Sequence, residues 1–137
     1  DGHSERNFRE QIRSEEGTDW VVRQAIAEAK DLIDAGQKRI VLDGLYSWTE
    51  YKILKHEFPG QMTVIAIVAP RSVRYNRIAN RPDRPFEPKH TQERDYTEIE
   101  NLEKGGPIAM ADYYIHNDTS TEDLYSQLNA ILKEINF

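Results

Sequence analysis

Hydrophobic positions recur every three or four residues along most of the chain, which is the spacing that one face of a helix requires. Val22, Ile26, Ala29 and Ile33 form one such stripe, and Gly36 is placed to end it. Capping residues and glycines bound the other stretches with this spacing. The pattern predicts helices over residues 4–16, 18–36, 48–58, 70–80, 91–104 and 121–135, with one helical turn over 107–111.

Three stretches show short, continuous apolar runs instead, at residues 39–42, 62–68 and 113–116. Such runs are typical of strands buried on both faces, as in a parallel sheet. Helices separate the three runs, and parallel strands need crossover connections of this kind. We therefore expect one α/β domain over residues 1–137, a three-layer parallel sheet with flanking helices. Sheets of this class bind ligands at the carboxyl ends of their strands.

Residues 81–90 cannot form regular structure, because they contain Pro82, Pro85 and Pro88. This proline-bounded segment is predicted to be a loop or lid. Thr91 is expected to cap the helix that follows it.

Composition and charge exclude several classes of protein. Of the 137 residues, 38% are hydrophobic, 31% are charged and none is cysteine, and the net charge is −6. The acidic balance argues against nucleic-acid binding. The longest apolar run, residues 64–70, is too short to cross a bilayer, and the polar first residues do not resemble a signal peptide. We expect a cytoplasmic protein that binds neither nucleic acid nor membrane, without a thiolate metal site.

Positive charge is concentrated between residues 70 and 95. This segment has a net charge of +3, which leaves −9 for the rest of the chain. Guanidinium groups match phosphate oxygens bidentately, so an arginine-rich segment in an acidic protein indicates a small anionic ligand. The seven cations are Arg71, Arg74, Arg77, Arg81, Arg84, Lys89 and Arg94.

Three segments, in this order, resemble P-loop nucleotide kinases of the adenylate-kinase and dephospho-CoA-kinase kind. The first is residues 40–47, with Asp43-Gly44 at the end of a predicted strand. The second is residues 64–70, followed by arginines and the proline-rich lid. The third runs from Arg94-Asp95 to the predicted strand at residues 113–116 and Asn117.

The resemblance implies a P-loop NTPase-like fold, with ATP and Mg²⁺ as cofactors and a nucleotide or coenzyme A precursor as acceptor. Two departures stand out. No Gly-x-x-x-x-Gly-Lys-Ser/Thr loop is present, and no arginine follows the Asp43-Gly44 pair. In that family the phosphate loop follows a strand lying between those that match residues 40–42 and 64–68. We therefore expect an incomplete sheet: either the missing N-terminal part exists elsewhere in the native protein, as a partner segment that completes the sheet, or the remaining strands close the gap. We favour the first.

The lid arginines are the first candidates for a role at the phosphates. Arg77 and Arg81 are expected to be catalytic, stabilising the charge of the transferring phosphoryl group, and Arg84 to bind the nucleotide. The alternative is a solvated helix face that pairs with Asp83 and Glu87.

Arg94 and Asp43 are further catalytic candidates. By resemblance, Arg94 reaches the phosphates when the lid closes; alternatively it pairs with Glu98 four residues on. Asp43, at the end of a predicted strand, could hold a Mg²⁺-bound water or orient an acceptor hydroxyl. Alternatively, Asp43 and Gly44 form an ordinary turn.

Weaker candidates complete the expected site. Asn117 follows the last predicted strand and could contact the nucleotide, although asparagine is common in turns. Arg13, Gly44 and Tyr46 are expected on the acceptor side by resemblance. No residue is assigned as a direct metal ligand, because the histidines lack the spacing of a metal site.

The sequence thus favours a small-molecule kinase that moves a phosphoryl group from Mg-ATP. We expect residues 1–137 alone to show no turnover. A second hypothesis is a non-catalytic module that senses a nucleotide or pairs with another subunit. A third is a plain interaction domain whose arginines are solvated.

Overall fold

The computed structural model describes residues 19–137. The helices and strands of this part are α1 (Trp20–Asp34), α2 (Trp48–Glu57), β1 (Ile65–Val68), α3 (Arg71–Asn80), α4 (Pro88–Leu102), α5 (Gly105–Ala109), β2 (Tyr113–His116) and α6 (Thr121–Glu134). The predicted helix over residues 4–16 lies outside the described residues, as does Arg13. Among the described helices, none combines the length and apolar character needed to cross a membrane.

The chain clusters into two compact units, Asp1–Met62 and Thr63–Phe137. In the described part of the first unit, α1 packs against α2. Val22 and Ile26 on α1 and Leu54 on α2 form its buried core. The predicted stripe of α1 is confirmed for these residues and for Ala29, whereas Ile33 at its end remains 44% exposed.

A serine cap fixes the start of α2, as its sequence pattern predicts. The Ser47 hydroxyl accepts a hydrogen bond from the backbone N–H of Glu50 at 3.1 Å, and both residues are buried. This bond satisfies one of the four N–H groups that a helix start leaves without a partner.

The strand predicted over residues 39–42 is wrong. These residues have no regular secondary structure, and the Val41 side chain is 75% exposed. A strand needs a neighbour for its N–H and C=O groups, and no described residue pairs with this run. The expected third strand of the sheet is therefore absent from residues 19–137.

The second unit contains a parallel sheet of two strands within residues 19–137, β1 beside β2. Ile65 pairs with Tyr113 and Val68 with His116, which confirms the strand predicted at 113–116 and shows the one predicted at 62–68 to begin only at Ile65. Asp112 fixes this register, because its backbone N–H donates to Val64 O while its carboxylate accepts from Val64 N–H, each at 2.8 Å.

Helix α6 packs against β2. Ile115 on β2 is 1% exposed, and Ile131 on α6 is also buried. The Gln127 side chain accepts from His116 N–H at 2.9 Å and donates to His116 O at 3.0 Å, so it satisfies both backbone groups of the strand's last residue. The observed class is thus α/β with a parallel sheet, coarser than the three-layer architecture predicted from the sequence.

The lid differs from its predicted boundaries. Helix α4 begins at Pro88, so the irregular segment covers residues 81–87 rather than 81–90. Proline is well suited to the first helical turn, where its missing N–H is not needed. Thr91 is consequently not a cap. It is buried one turn inside α4, and its hydroxyl donates to Glu87 O at 3.3 Å.

Candidate functional site

Two arginines of α3 lie at the carboxyl ends of the two strands. Arg74 Nε donates to the backbone oxygen of Ala69, just after β1, at 3.3 Å. Arg77 Nη1 donates to the backbone oxygen of Asn117, just after β2. The same Asn117 donates its own N–H to Val68 O at 2.7 Å. These contacts bring the arginine-rich helix to the strand edge at which parallel sheets bind ligands.

Arg74 is also held from the side by α4. Its Nη1 contacts Asp95 Oδ2 at 3.2 Å, and the Tyr75 hydroxyl donates to the same oxygen at 3.0 Å. Burial raises the pKa of Tyr75, and the hydrogen bond to the Asp95 carboxylate raises it further. The phenol therefore stays protonated and keeps donating at neutral pH. Because Arg74 is held both by Asp95 and by Ala69 O, we expect it to have a well-defined orientation.

Glu98, one turn further along α4, joins two more cations. Arg94 Nε contacts its Oε1 at 3.2 Å, and Lys104 Nζ contacts its Oε2 at 3.0 Å. The Glu98 side chain is 19% exposed. Burial alone would raise the pKa of Glu98, but the ion pairs and hydrogen bonds with Lys104 and Arg94 outweigh it and hold the pKa below its usual value.

The irregular segment contributes Arg81. Its guanidinium lies 5.4 Å from the centre of the Phe86 ring, a cation–π distance, and its Nε donates to the backbone oxygen of Arg84. Arg84 has a left-handed backbone, with φ of 51°, which turns this carbonyl toward Arg81. The Arg84 side chain contacts Asp83 at 3.5 Å.

These groups line a cavity of about 300 Å³. Its charged lining consists of Arg74, Arg81, Arg94, Lys104, Asp95 and Glu98, which leaves two positive charges in excess. Ile78 and Phe86 add apolar surface, and Thr91 is also part of the lining. A cavity of this kind suits a small anion, because guanidinium and ammonium groups bind phosphate and carboxylate oxygens with charge-assisted hydrogen bonds.

The structure brings some of the predicted site residues together and not others. Arg81 and Arg94 line the same cavity, and Arg77 contacts Asn117. The backbone oxygen of Arg84 accepts a hydrogen bond from Arg81. The Arg84 side chain pairs with Asp83 at the surface, in agreement with the alternative prediction. Arg94 likewise makes its alternative pair with Glu98, although this pair lies within the cavity rather than on an open surface.

The remaining described candidates, Asp43, Gly44 and Tyr46, belong to the first unit. Asp43 is exposed and does not follow a strand, which removes the geometric reason for its predicted role. Gly44 has φ of +94°, and a Cβ there would lie 2.8 Å from the Tyr46 ring. The glycine is therefore explained by its backbone conformation and by the close approach of Tyr46.

Helical spacing placed Arg74 in one basic stripe with Arg77 and Arg81, without assigning it a site role of its own. Sequence reasoning gave no role to Asp95 or Lys104. No spacing pattern in the sequence marks Lys104 as a residue of the site. The sequence predicts that residue as the end of a helix, whereas α4 ends at Leu102 and the left-handed Glu103, with φ of 53°, redirects the chain.

Among residues 19–137, no group of three or more His, Asp or Glu side chains could hold a metal ion. Mg²⁺ that binds together with ATP needs only one or two carboxylates besides the phosphates. The two carboxylates of the cavity, Asp95 and Glu98, are paired with cations instead.

The Glu98 cluster makes the stability of the protein dependent on pH. The pKa of Glu98 is lower in the folded chain than in the unfolded chain, so its ionised form stabilises the fold. This contribution is complete above the unfolded value, about 4.3, and is lost as the pH falls through the lowered folded value. We expect Glu98→Gln to lower Tm at neutral pH and to have a shrinking effect as the pH falls below about 4.

Thermal unfolding of wild type and Glu98→Gln at several pH values measures this difference. Glu100→Gln, an exposed change of the same charge on the same helix, is the matched control and should show little pH-dependent difference. A Glu98→Gln effect that is equally large at acid and neutral pH would mean that the charge of Glu98 is not the source of stability.

Comparison with known proteins gives a consistent set of relatives. The chain is 30% identical over 127 residues to a UPF0200 protein of Thermococcus onnurineus, covering 90% of this chain and 68% of that protein. It is 35% identical over 136 residues to a UPF0200 protein of Thermoplasma acidophilum, covering 96% of this chain and 70% of that protein. A UPF0200 protein of Pyrococcus abyssi is 32% identical, with coverage of 90% and 67%. No protein-family model matches the chain.

Proposed function

The chain belongs to the UPF0200 protein family, and we propose that its intact protein transfers a phosphoryl group from ATP to a nucleotide or a coenzyme-A-precursor-like acceptor. The proposal includes a P-loop NTPase-like architecture, of which β1, β2 and their helices form part. The resemblance of the three sequence segments to nucleotide kinases supports it, together with the cationic cavity of the second unit.

The observation that most directly supports the proposal is that two arginines of α3 lie where the two parallel strands end. Arg74 and Arg77 contact backbone oxygens immediately after β1 and β2, and α4 supplies Arg94 and Glu98 beside them. The cluster is thus suited to hold phosphoryl oxygens near the edge at which α/β enzymes bind their ligands.

The chemistry required of these residues is electrostatic. Phosphoryl transfer asks the protein to position the donor and acceptor and to stabilise charge on the transferring group, with little covalent participation. Arg81 and Arg94 would contact the phosphoryl oxygens, and Arg74 would maintain the shape of the site through Asp95. ATP would be the phosphoryl donor, and the glycine-rich loop that usually binds its phosphates is not part of this sequence.

A titration with ATP and a transfer assay test the proposal. We expect residues 1–137 to bind ATP weakly, with Kd on the order of 1 mM, and to transfer nothing measurable. The intact protein should transfer the γ-phosphoryl group of Mg-ATP to a member of a panel of nucleoside monophosphates and coenzyme A precursors. Absence of both binding and transfer in the intact protein would refute the proposal.

A non-catalytic nucleotide sensor is the second candidate. Its support is the pairing of Arg94 and Lys104 with Glu98, which gives these cations a role in the fold that requires no catalysis. Binding of ATP by the intact protein, without transfer to any acceptor and without hydrolysis, would favour this candidate. Loss of that binding on substitution of Arg81 would link it to the cavity.

A further inference from the structure

The position of Glu98 in the cavity suggests more than a structural ion pair. Its two carboxylate oxygens are divided between two cations, Arg94 on one and Lys104 on the other. A phosphoryl group presents oxygens of the same charge and hydrogen-bonding capacity. Arg94 and Lys104 are thus already arranged around an anion, the carboxylate of Glu98.

We propose that the Glu98 carboxylate occupies the place of a ligand's phosphoryl group, and that ligand binding transfers Arg94 and Lys104 from Glu98 to phosphoryl oxygens. The inference rests on the proposed function for the identity of the ligand as a phosphate compound. It adds a specific exchange. Because the ligand must compete with the Glu98 carboxylate for the two cations, Glu98 lowers the affinity of the cavity for the ligand.

The other carboxylate of the cavity does not have this role. Asp95 accepts from both Arg74 and Tyr75, and Arg74 also donates to Ala69 O at the end of β1. Moving Arg74 would break its contacts to both the end of β1 and α4. Arg94 pairs with Glu98 on its own helix, one turn away, and can rotate to a ligand while α4 stays in place.

Lys104 stays in position without the Glu98 carboxylate. Its backbone N–H donates to the backbone oxygen of Glu98 at 3.1 Å, and Glu103 N–H donates to Ile99 O at 3.1 Å. Glu103 adopts a left-handed conformation that a residue with a Cβ seldom adopts. These backbone contacts fix the segment, so a change confined to the carboxylate removes the charge that pairs with the ammonium group and leaves the segment in place.

The exchange is tested by titrating the protein with inorganic pyrophosphate at constant ionic strength, using calorimetry. We expect Glu98→Gln to bind pyrophosphate about tenfold more tightly than wild type, equivalent to about 1.4 kcal/mol. Glutamine keeps the shape of the side chain and removes the competing charge. Glu100→Gln removes the same charge from an exposed position of α4 and should change the affinity by less than about twofold, as expected for an exposed charge.

A second variant tests the cation side. Lys104→Ala should weaken pyrophosphate binding about tenfold, whereas Lys89→Ala, an exposed lysine in the first turn of α4, should leave it nearly unchanged. Circular dichroism confirms that each variant is folded. If Lys104 served only to pair with Glu98, its removal would leave pyrophosphate affinity unchanged, which would contradict the inference.

The outcomes separate this inference from the proposed function. Pyrophosphate binding that is unchanged or weakened in Glu98→Gln overturns the exchange, but leaves a phosphate site in place. No pyrophosphate binding by wild type or by Glu98→Gln overturns the exchange and removes the support that this cavity gives to phosphoryl transfer. Tighter binding in Glu98→Gln without transfer by the intact protein supports the exchange and favours the sensor.

Discussion

Replacing Ile115 with alanine is expected to lower the free energy of unfolding by about 2–5 kcal/mol, the range measured for isoleucine-to-alanine changes in protein cores. Ile115 is 1% exposed, at the centre of β2. Its truncation removes apolar surface from the core and leaves a cavity that the paired strand and α6 can only partly fill. Urea unfolding followed by circular dichroism measures the loss.

Ile67 provides the matched control for this change. It is the register partner of Ile115 on β1, but its side chain is 63% exposed. Ile67→Ala should therefore cost well under half as much, since little apolar surface is returned to water. Equal losses for the two variants would mean that the Ile67 side chain is covered in solution rather than exposed.

These two isoleucines also show what the sequence could and could not predict about the fold. The apolar runs at residues 62–68 and 113–116 form strands, as expected. The run at residues 39–42 has similar length and composition but remains irregular. A short apolar run becomes a strand only when a neighbouring strand forms hydrogen bonds with its backbone N–H and C=O groups. The residues of the run do not indicate which strand that neighbour is. Helices, whose hydrogen bonds are local, were predicted with fewer errors.

Only part of the candidate site could be predicted from the sequence. Arginine spacing and the prolines indicated a cationic group beside a lid, and Arg81 and Arg94 do share a cavity. Lys104 could not be found from spacing, because its position depends on the left-handed turn at Glu103. Asp95 could not be found because its role depends on the packing of α4 against α3, a tertiary contact.

Arg94→Ala should have the largest effect on activity. If the intact protein transfers phosphoryl groups as proposed, this change is expected to lower kcat by about 10³-fold, the lower end of the range for an arginine that stabilises the transition state. The effect on KM for ATP should be smaller, because charge at the phosphoryl group develops most strongly during transfer. Steady-state kinetics with the acceptor identified in the panel would measure both constants.

Two control variants test whether the loss of kcat is specific to the guanidinium group of Arg94. Lys89→Ala removes an exposed cation from the same helix and should leave both constants nearly unchanged. Arg94→Lys keeps the charge but loses the planar fork, so it should recover only part of the rate if bidentate contact matters. A raised KM with unchanged kcat would assign Arg94 to ground-state binding. No change in either constant would leave Arg94 as a structural partner of Glu98, and the catalytic role would then have to pass to Arg81 or Arg77.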